Sequence, residues 1–210
     1  MSSHPDPSVL AGFATGDLPL PPAVTVSAHL ESCAQCRARV AAFEEAEGGL
    51  LEAMPPAPLA PGALDRAMAR LDLGPAADEP PAPDVRWAQM AIPRAAARAG
   101  FGRRRWLAPG LWAAQVKAAP TGRWRTFLLR APARTRIPTH GHSGGEMIAV
   151  LQGAFHDGRT YSAGDFAQNA AGTEHDLTVS SEGPCVCLIA VQGAVRWRGW
   201  ARVITPLLGI

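Results

Sequence analysis

Residues 138–153 read PTHGHSGGEMIAVLQG and residues 161–175 read YSAGDFAQNAAGTEH. His140 and His142 are two apart, so on a strand their side chains share one face. Glu146 follows four positions later, and His175 comes from a separate segment. Three imidazoles and a carboxylate gathered on one face close a pocket around a single divalent ion, and such a pocket fits inside a barrel. The donor set suits zinc, manganese, iron, nickel or copper, so it locates a metal better than it identifies one. Reading them instead as polar surface histidines requires three of the chain's six histidines to fall on the pattern by coincidence.

The surrounding sequence has the texture of short strands. Leu111–Lys117, Arg123–Arg130, Met147–Gln152, Ala154–His156, Asp176–Val179, Cys185–Gln192 and Arg202–Leu207 are apolar or β-branched runs between turn signals. They predict an all-β barrel or sandwich. Trp106, Trp112, Trp124 and Trp197 fall here, and without basic-aromatic alternation they are expected to build the barrel core and rim rather than stack on bases.

Upstream, the period changes to helical. Val26, Leu30, Cys33, Val40, Phe43 and Leu50 or Leu51 recur at three-to-four spacing, so Val24–Leu51 reads as helical, with Gly48 and Gly49 breaking or ending the pattern late, and three or four helices are expected in this half. Ser8–Gly16 predicts a shorter helix. Within this half, residues 29–36 read HLESCAQC. His29 and Cys33 share a helix face and Cys36 follows one turn later, so three soft or borderline ligands converge. Zinc is the natural metal, and His4 is the fourth ligand of the right type in this half. A thioredoxin-like redox pair at Cys33 and Cys36 needs a βαβ context that is missing here.

Between the halves, residues 53–84 are rich in proline, with a helical stripe of Leu64, Met68 and Leu71 suspended in Gly62–Leu73. The expected division is a helical unit over 1–74, a linker over 75–84 and an all-β unit over 85–210. The stripe either packs on its own helical unit or meets a partner.

Composition narrows the class. With 21 glycines and 20 prolines, a fifth of the 210 residues favour turns over a long-helix bundle. Hydrophobic residues at 47% and charged residues at 18% exclude wholesale disorder and a disulfide framework. The net charge of +2 hides a balance of −8 over residues 1–84 and +10 over residues 85–210. The acidic half complements a basic partner surface, while the scattered arginines of the second half read as a solvated exterior. No run approaches the ~18 apolar residues of a membrane span, and Met1–Leu10 lacks a secretory pattern, so a cytoplasmic protein is expected.

These motifs resemble two known patterns. His140 through Glu146 to Gly153 resembles the first cupin motif, and Gly164-Asp165 through Gly172 to His175 resembles the second. Ala170 stands where the second motif usually has proline, and Val179 where it often has asparagine. His4, His29, Cys33 and Cys36 fall on the pattern of the zinc-binding anti-sigma domain. Together they resemble the ChrR-type anti-sigma factors over essentially the whole chain. The resemblance implies an α+β protein of two domains, a small all-α zinc domain followed by an all-β cupin, the double-stranded β-helix or jelly-roll barrel. It implies a non-enzymatic inhibitor of an extracytoplasmic-function sigma factor, bound one to one. Zinc is implied in the helical domain and, ahead of manganese, iron or nickel, in the cupin. Leu64, Met68 and Leu71 become candidate sigma contacts, and the cupin becomes the part that answers singlet oxygen and related oxidants by releasing the sigma factor. Direct nucleic-acid and membrane binding are not expected, and a free homodimer is compatible with cupin pairing.

Cys185 and Cys187 sit two apart on a strand and face the same way. They are either a redox pair tuned by nearby metal or two small buried hydrophobes. The rival from another class is a metal-dependent cupin dioxygenase or isomerase with an accessory zinc domain. A third reading, a DNA-binding zinc regulator, rests on the basic second half alone.

Overall fold

The computed structural model describes residues 3–71, 92–117 and 123–198. Four helices come first: α1 (Pro7–Ala14), α2 (Leu20–Ser32), α3 (Ala34–Glu52) and α4 (Ala63–Leu71). A fifth, α5 (Arg94–Ala99), packs on α2 just before the strands and was not foreseen. The expected linker over 75–84 and the expected strand Arg202–Leu207 lie outside the described residues.

The helical stretch read over Val24–Leu51 is two helices, which with α1 and α4 gives four, the larger of the two numbers expected. Cys33 takes extended backbone angles (φ −109°, ψ 100°) and its Sγ accepts from the Cys36 backbone N–H at 3.4 Å, serving as N-cap to α3. Arg37 donates to the Leu30 carbonyl at 2.6 Å, satisfying an end of α2 that the break exposes. Hydrophobic periodicity runs through this corner because Cys33 and Cys36 still point inward, so the pattern alone did not show it. Gly48 and Gly49 do not end α3, which continues to Glu52.

The strands are β1 (Arg105–Ala108), β2 (Leu111–Gln115), β3 (Trp124–Ala131), β4 (Arg136–His142), β5 (Glu146–Gln152), β6 (Ala154–Asp157), β7 (Arg159–Ser162), β8 (Phe166–Asn169), β9 (Glu174–Val179), β10 (Cys185–Gln192) and β11 (Val195–Trp197). They form a six-stranded sheet ordered β1-β2-β3-β10-β5-β8 and a five-stranded sheet ordered β11-β4-β9-β6-β7. Their pairings are antiparallel, giving the all-β barrel with a helical unit before it that the sequence predicted. The strand runs read from the sequence lack β1, β4, β7, β8 and β11: four of these are three or four residues long, too short to show an alternation, whereas the seven-residue β4 carries Pro138 and Gly141 and runs into the glycines at 144 and 145, so its stretch reads as a turn.

The six-stranded sheet is covered on both faces. In β10, Val186, Leu188 and Ala190 join a core with Val24, Val26 and Ala28 of α2, whereas Cys185 and Cys187 join Ile148, Val150, Phe155 and Leu177 in the barrel interior. Burial on both sides explains why residues 185–191 read as an unbroken apolar run rather than alternating. Pro21 locks α2 to the sheet by accepting from Thr126 Oγ1 at 2.8 Å with its carbonyl, at a fully buried point.

Turn chemistry fixes the β5–β6 corner that follows Glu146. Gly153 has φ +71°, and a Cβ there would lie 2.3 Å from the Pro184 carbonyl oxygen, so only glycine fits.

Candidate metal centres

His4, His29, Cys33 and Cys36 come together, their ligand atoms all within 4.8 Å of one another. His29 arrives from the last turn of α2, Cys33 from the corner and Cys36 from the first turn of α3. His4 arrives on an extended segment laid along β8. The Phe166 N–H donates to the Ser3 carbonyl at 2.9 Å, and the Ser3 N–H donates to Asp165 at 2.9 Å. Gln168 donates to the Asp6 carboxylate at 2.9 Å. The segment that carries His4 is thus pinned on both sides by the barrel.

Within the cluster, His4 Nδ1 lies 3.4 Å from Cys33 Sγ and 3.3 Å from Cys36 Sγ, and His29 Nε2 lies 3.3 Å from Cys36 Sγ. Burial, reinforced by His4, lowers the His29 pKa to about 4, so the ring is neutral and its lone pair available. Burial and the neighbouring Cys33 raise the Cys36 thiol to about 11, a balance that a cation among these donors reverses. Two thiols and two imidazoles, with His29 and Cys36 buried and His4 and Cys33 half-buried, have the donor chemistry of a structural zinc site.

His140, His142, Glu146 and His175 form the second cluster, again within 4.8 Å and all buried. Register explains it: His140 on β4 is directly opposite His175 on β9, and Glu146 starts β5. Glu146 Oε1 is 3.1 Å from His142 Nε2, and Oε2 is 3.3 Å from His175 Nε2. Yet both imidazole nitrogens lack a hydrogen-bonding partner among the described residues. Close atoms whose lone pairs miss each other are aimed at a common point, which is how ligands surround an ion. The outer nitrogens are fixed elsewhere: His140 Nδ1 is 2.9 Å from the Pro138 carbonyl, and His175 Nδ1 is 2.8 Å from Asp157 Oδ2. This leaves Nε2 of both rings for a metal. Burial lowers the His140 pKa, and although burial also opposes the Glu146 charge, His142, His175 and Asn169 outweigh it and hold that carboxylate below its usual range. The residues fit a bound dication.

Two contributors escaped the sequence reading. Asn169 donates to Glu146 Oε2 at 2.9 Å, and Asp157 orients His175. Asp157 is followed by Gly158, a pair that signals a turn rather than a ligand partner, and Asn169 lies on a strand too short to read. His156, Glu174 and Tyr161, which also lay near the motifs, serve otherwise: Glu174 pairs with Arg198, Tyr161 stacks on Phe155, and His156 is exposed. Trp197 stacks on His140 with centroids 4.8 Å apart and Trp112 is buried, whereas Trp106 is exposed.

Cys185 and Cys187 face the barrel interior with sulfurs 3.5 Å apart. The shared hydrogen bond and burial hold the Cys187 thiol well above its ordinary pKa. On α4, Leu64, Met68 and Leu71 are 68%, 55% and 71% exposed, so the stripe does not pack on its own unit.

A sequence model of the family described as the ChrR cupin-like domain matches residues 103–195. Anti-sigma-E factor ChrR of Cereibacter sphaeroides is 33% identical to this chain, over 99% of this chain and 98% of its own length. The crystal structure of Rhodobacter sphaeroides SigE in complex with the anti-sigma ChrR matches with a TM-score of 0.74 and 31% identity, over 91% of this chain and 100% of that chain.

Proposed function

The chain belongs to the ChrR family of anti-sigma factors, and from that premise we propose that it binds an extracytoplasmic-function sigma factor and keeps it inactive. The observation that carries this reading is the unburied face of α4. A nine-residue helix is marginal by itself, and this one has no buried residue while presenting Leu64, Met68 and Leu71 outward. Leu50, Leu51, Met54 and Leu59, also exposed, extend the apolar surface towards it along the chain. The −8 balance of residues 1–84 suits a basic sigma surface that otherwise meets polymerase or promoter DNA.

In this reading residues 1–74 are the inhibitory domain and residues 85–210 the sensing domain, joined by a linker over 75–84. Zinc at His4, His29, Cys33 and Cys36 ties the extended N-terminal segment to the α2–α3 corner. Zinc at His140, His142, Glu146 and His175 supplies a Lewis-acidic centre inside the cupin, where the four side chains converge. The complex is one to one, resides in the cytoplasm and dissociates when singlet oxygen or a related oxidant alters the cupin. Cys185 and Cys187, beside the second cluster, are the candidate thiols for that step. The chain is a regulator rather than an enzyme and contacts DNA only through its partner.

Among the described residues no helix is long and apolar enough to cross a membrane. The test is reconstituted transcription with core RNA polymerase and the extracytoplasmic-function sigma factor encoded nearest to this chain's gene. Transcription is expected to fall to background at one equivalent of the chain, with a one-to-one complex on gel filtration. Unchanged transcription and no complex would overturn the proposal.

A further inference from the structure

The barrel holds a cavity of about 440 Å³ that opens to solvent. Leu129, Ile137, Ile148, Phe155, Leu177 and Val179 are among its predominantly apolar walls. The buried polar side chains on the wall are His140, His142 and Glu146, drawn together in the second cluster. Thr135 and Arg136 also line it, but the Arg136 side chain is 75% exposed and its guanidinium is engaged by Asp176, which places that charge at the mouth.

Small barrels normally fill their interiors with side chains. Apolar walls left in contact with water forgo the stabilisation that burying them would bring, so packing alone gives no reason for a pocket of this size. Apolar walls converging on a few polar groups are instead the form of a small-molecule site. The polar end also specifies a head group. Three neutral imidazoles and one carboxylate only partly neutralise a dication, so an anionic oxygen donor is favoured there over a hydroxyl or an alkyl end.

We propose that the cavity binds an apolar monocarboxylate of roughly eight to twelve carbons, its chain among the aliphatic walls and its carboxylate at the end formed by His140, His142 and Glu146. The size follows from a volume at the lower end of small-molecule sites, which fall at roughly 300–1,000 Å³. The inference concerns the barrel alone and stands whether or not the helical half holds a sigma factor.

The test is calorimetric titration of the full-length, zinc-loaded chain with butanoate, hexanoate, octanoate, decanoate and dodecanoate, and with decan-1-ol as the head-group control. Affinity is expected to rise roughly fourfold per added CH₂ until the cavity is full. Decan-1-ol is expected to bind at least tenfold more weakly than decanoate. Leu177→Trp fills the cavity and is expected to abolish binding with bound zinc unchanged; Ile137→Trp, at a less buried wall position, serves if the first variant does not fold. No heat with any acid at 1 mM, an affinity indifferent to chain length, equal binding of acid and alcohol, or undiminished binding in a folded, cavity-filled variant would each overturn the proposal.

Discussion

The imidazole of His29 and the ring of Phe166 meet edge to face, their centroids 5.5 Å apart and their planes at 67°. One ring belongs to the four-residue His/Cys cluster, and the other opens β8, whose last residue, Asn169, holds Glu146 of the second cluster. A single strand of four residues therefore touches both centres.

Phe166 is fully buried, so Phe166→Ala removes a large side chain from a core shared by helices and sheet. The expected loss is about 3–5 kcal/mol of stability, with faster release of zinc loaded into the first cluster because His29 loses the surface it rests on. Urea unfolding and chelator-driven zinc release followed with a coloured indicator measure the two effects. A stability loss below 1 kcal/mol would show that the contact is loose.

Asn169→Ala and Asp157→Ala leave all four donors of the second cluster in place but free Glu146 and His175 to rotate. Each is expected to weaken metal binding there by about 10–100-fold while leaving the first centre untouched. Chelator competition on the full chain, with two separable metal equivalents, checks this.

How far the sequence carried the structure follows from where each signal resides. Cluster donors sit in short linear motifs, so H-x-H-x3-E and H-x3-C-x2-C were readable, and β10 announced itself as an apolar run. The break at Cys33 was hidden because a capped corner keeps the same residues inward as a continuous helix does. Asp157 and Asn169 act through register and short strands, and one sequence carries no signal for either. The pinning of the segment around His4 depends on Asp165 and Gln168, some 160 positions away, a relation that only the folded chain contains.

The exposed stripe of α4 gives a clean separation of binding from folding. Leu64→Asp combined with Met68→Asp places two charges on a surface that water already touches, so stability should change by no more than about 0.5 kcal/mol. Sigma capture is expected to weaken at least 100-fold, measured by gel filtration with the sigma factor encoded nearest to the gene. Capture at parental affinity would move the interface elsewhere.

Acidification tests the burial of His29. Folded, this ring titrates at about 4 instead of 6.5, because burial and His4 oppose its charge. Between those values the unfolded chain binds the extra proton, so stability rises with pH across the window. The metal-free chain is therefore expected to hold its full stability above pH 6.5 and to lose it progressively down to about pH 4. The loss from this group alone is roughly 3 kcal/mol. The lowered pKa of His140 works in the same direction, as does Glu146, whose stabilising charge is lost when it is protonated at the acid end. Bound metal competes with the same protons, so the holo chain adds metal release to the acid limb. Urea midpoints measured in chelator from pH 8 to pH 4 should stay level and then fall. His29→Gln, which cannot titrate, should show a shallower limb, and an equally steep limb in that variant would assign the acid sensitivity to other groups.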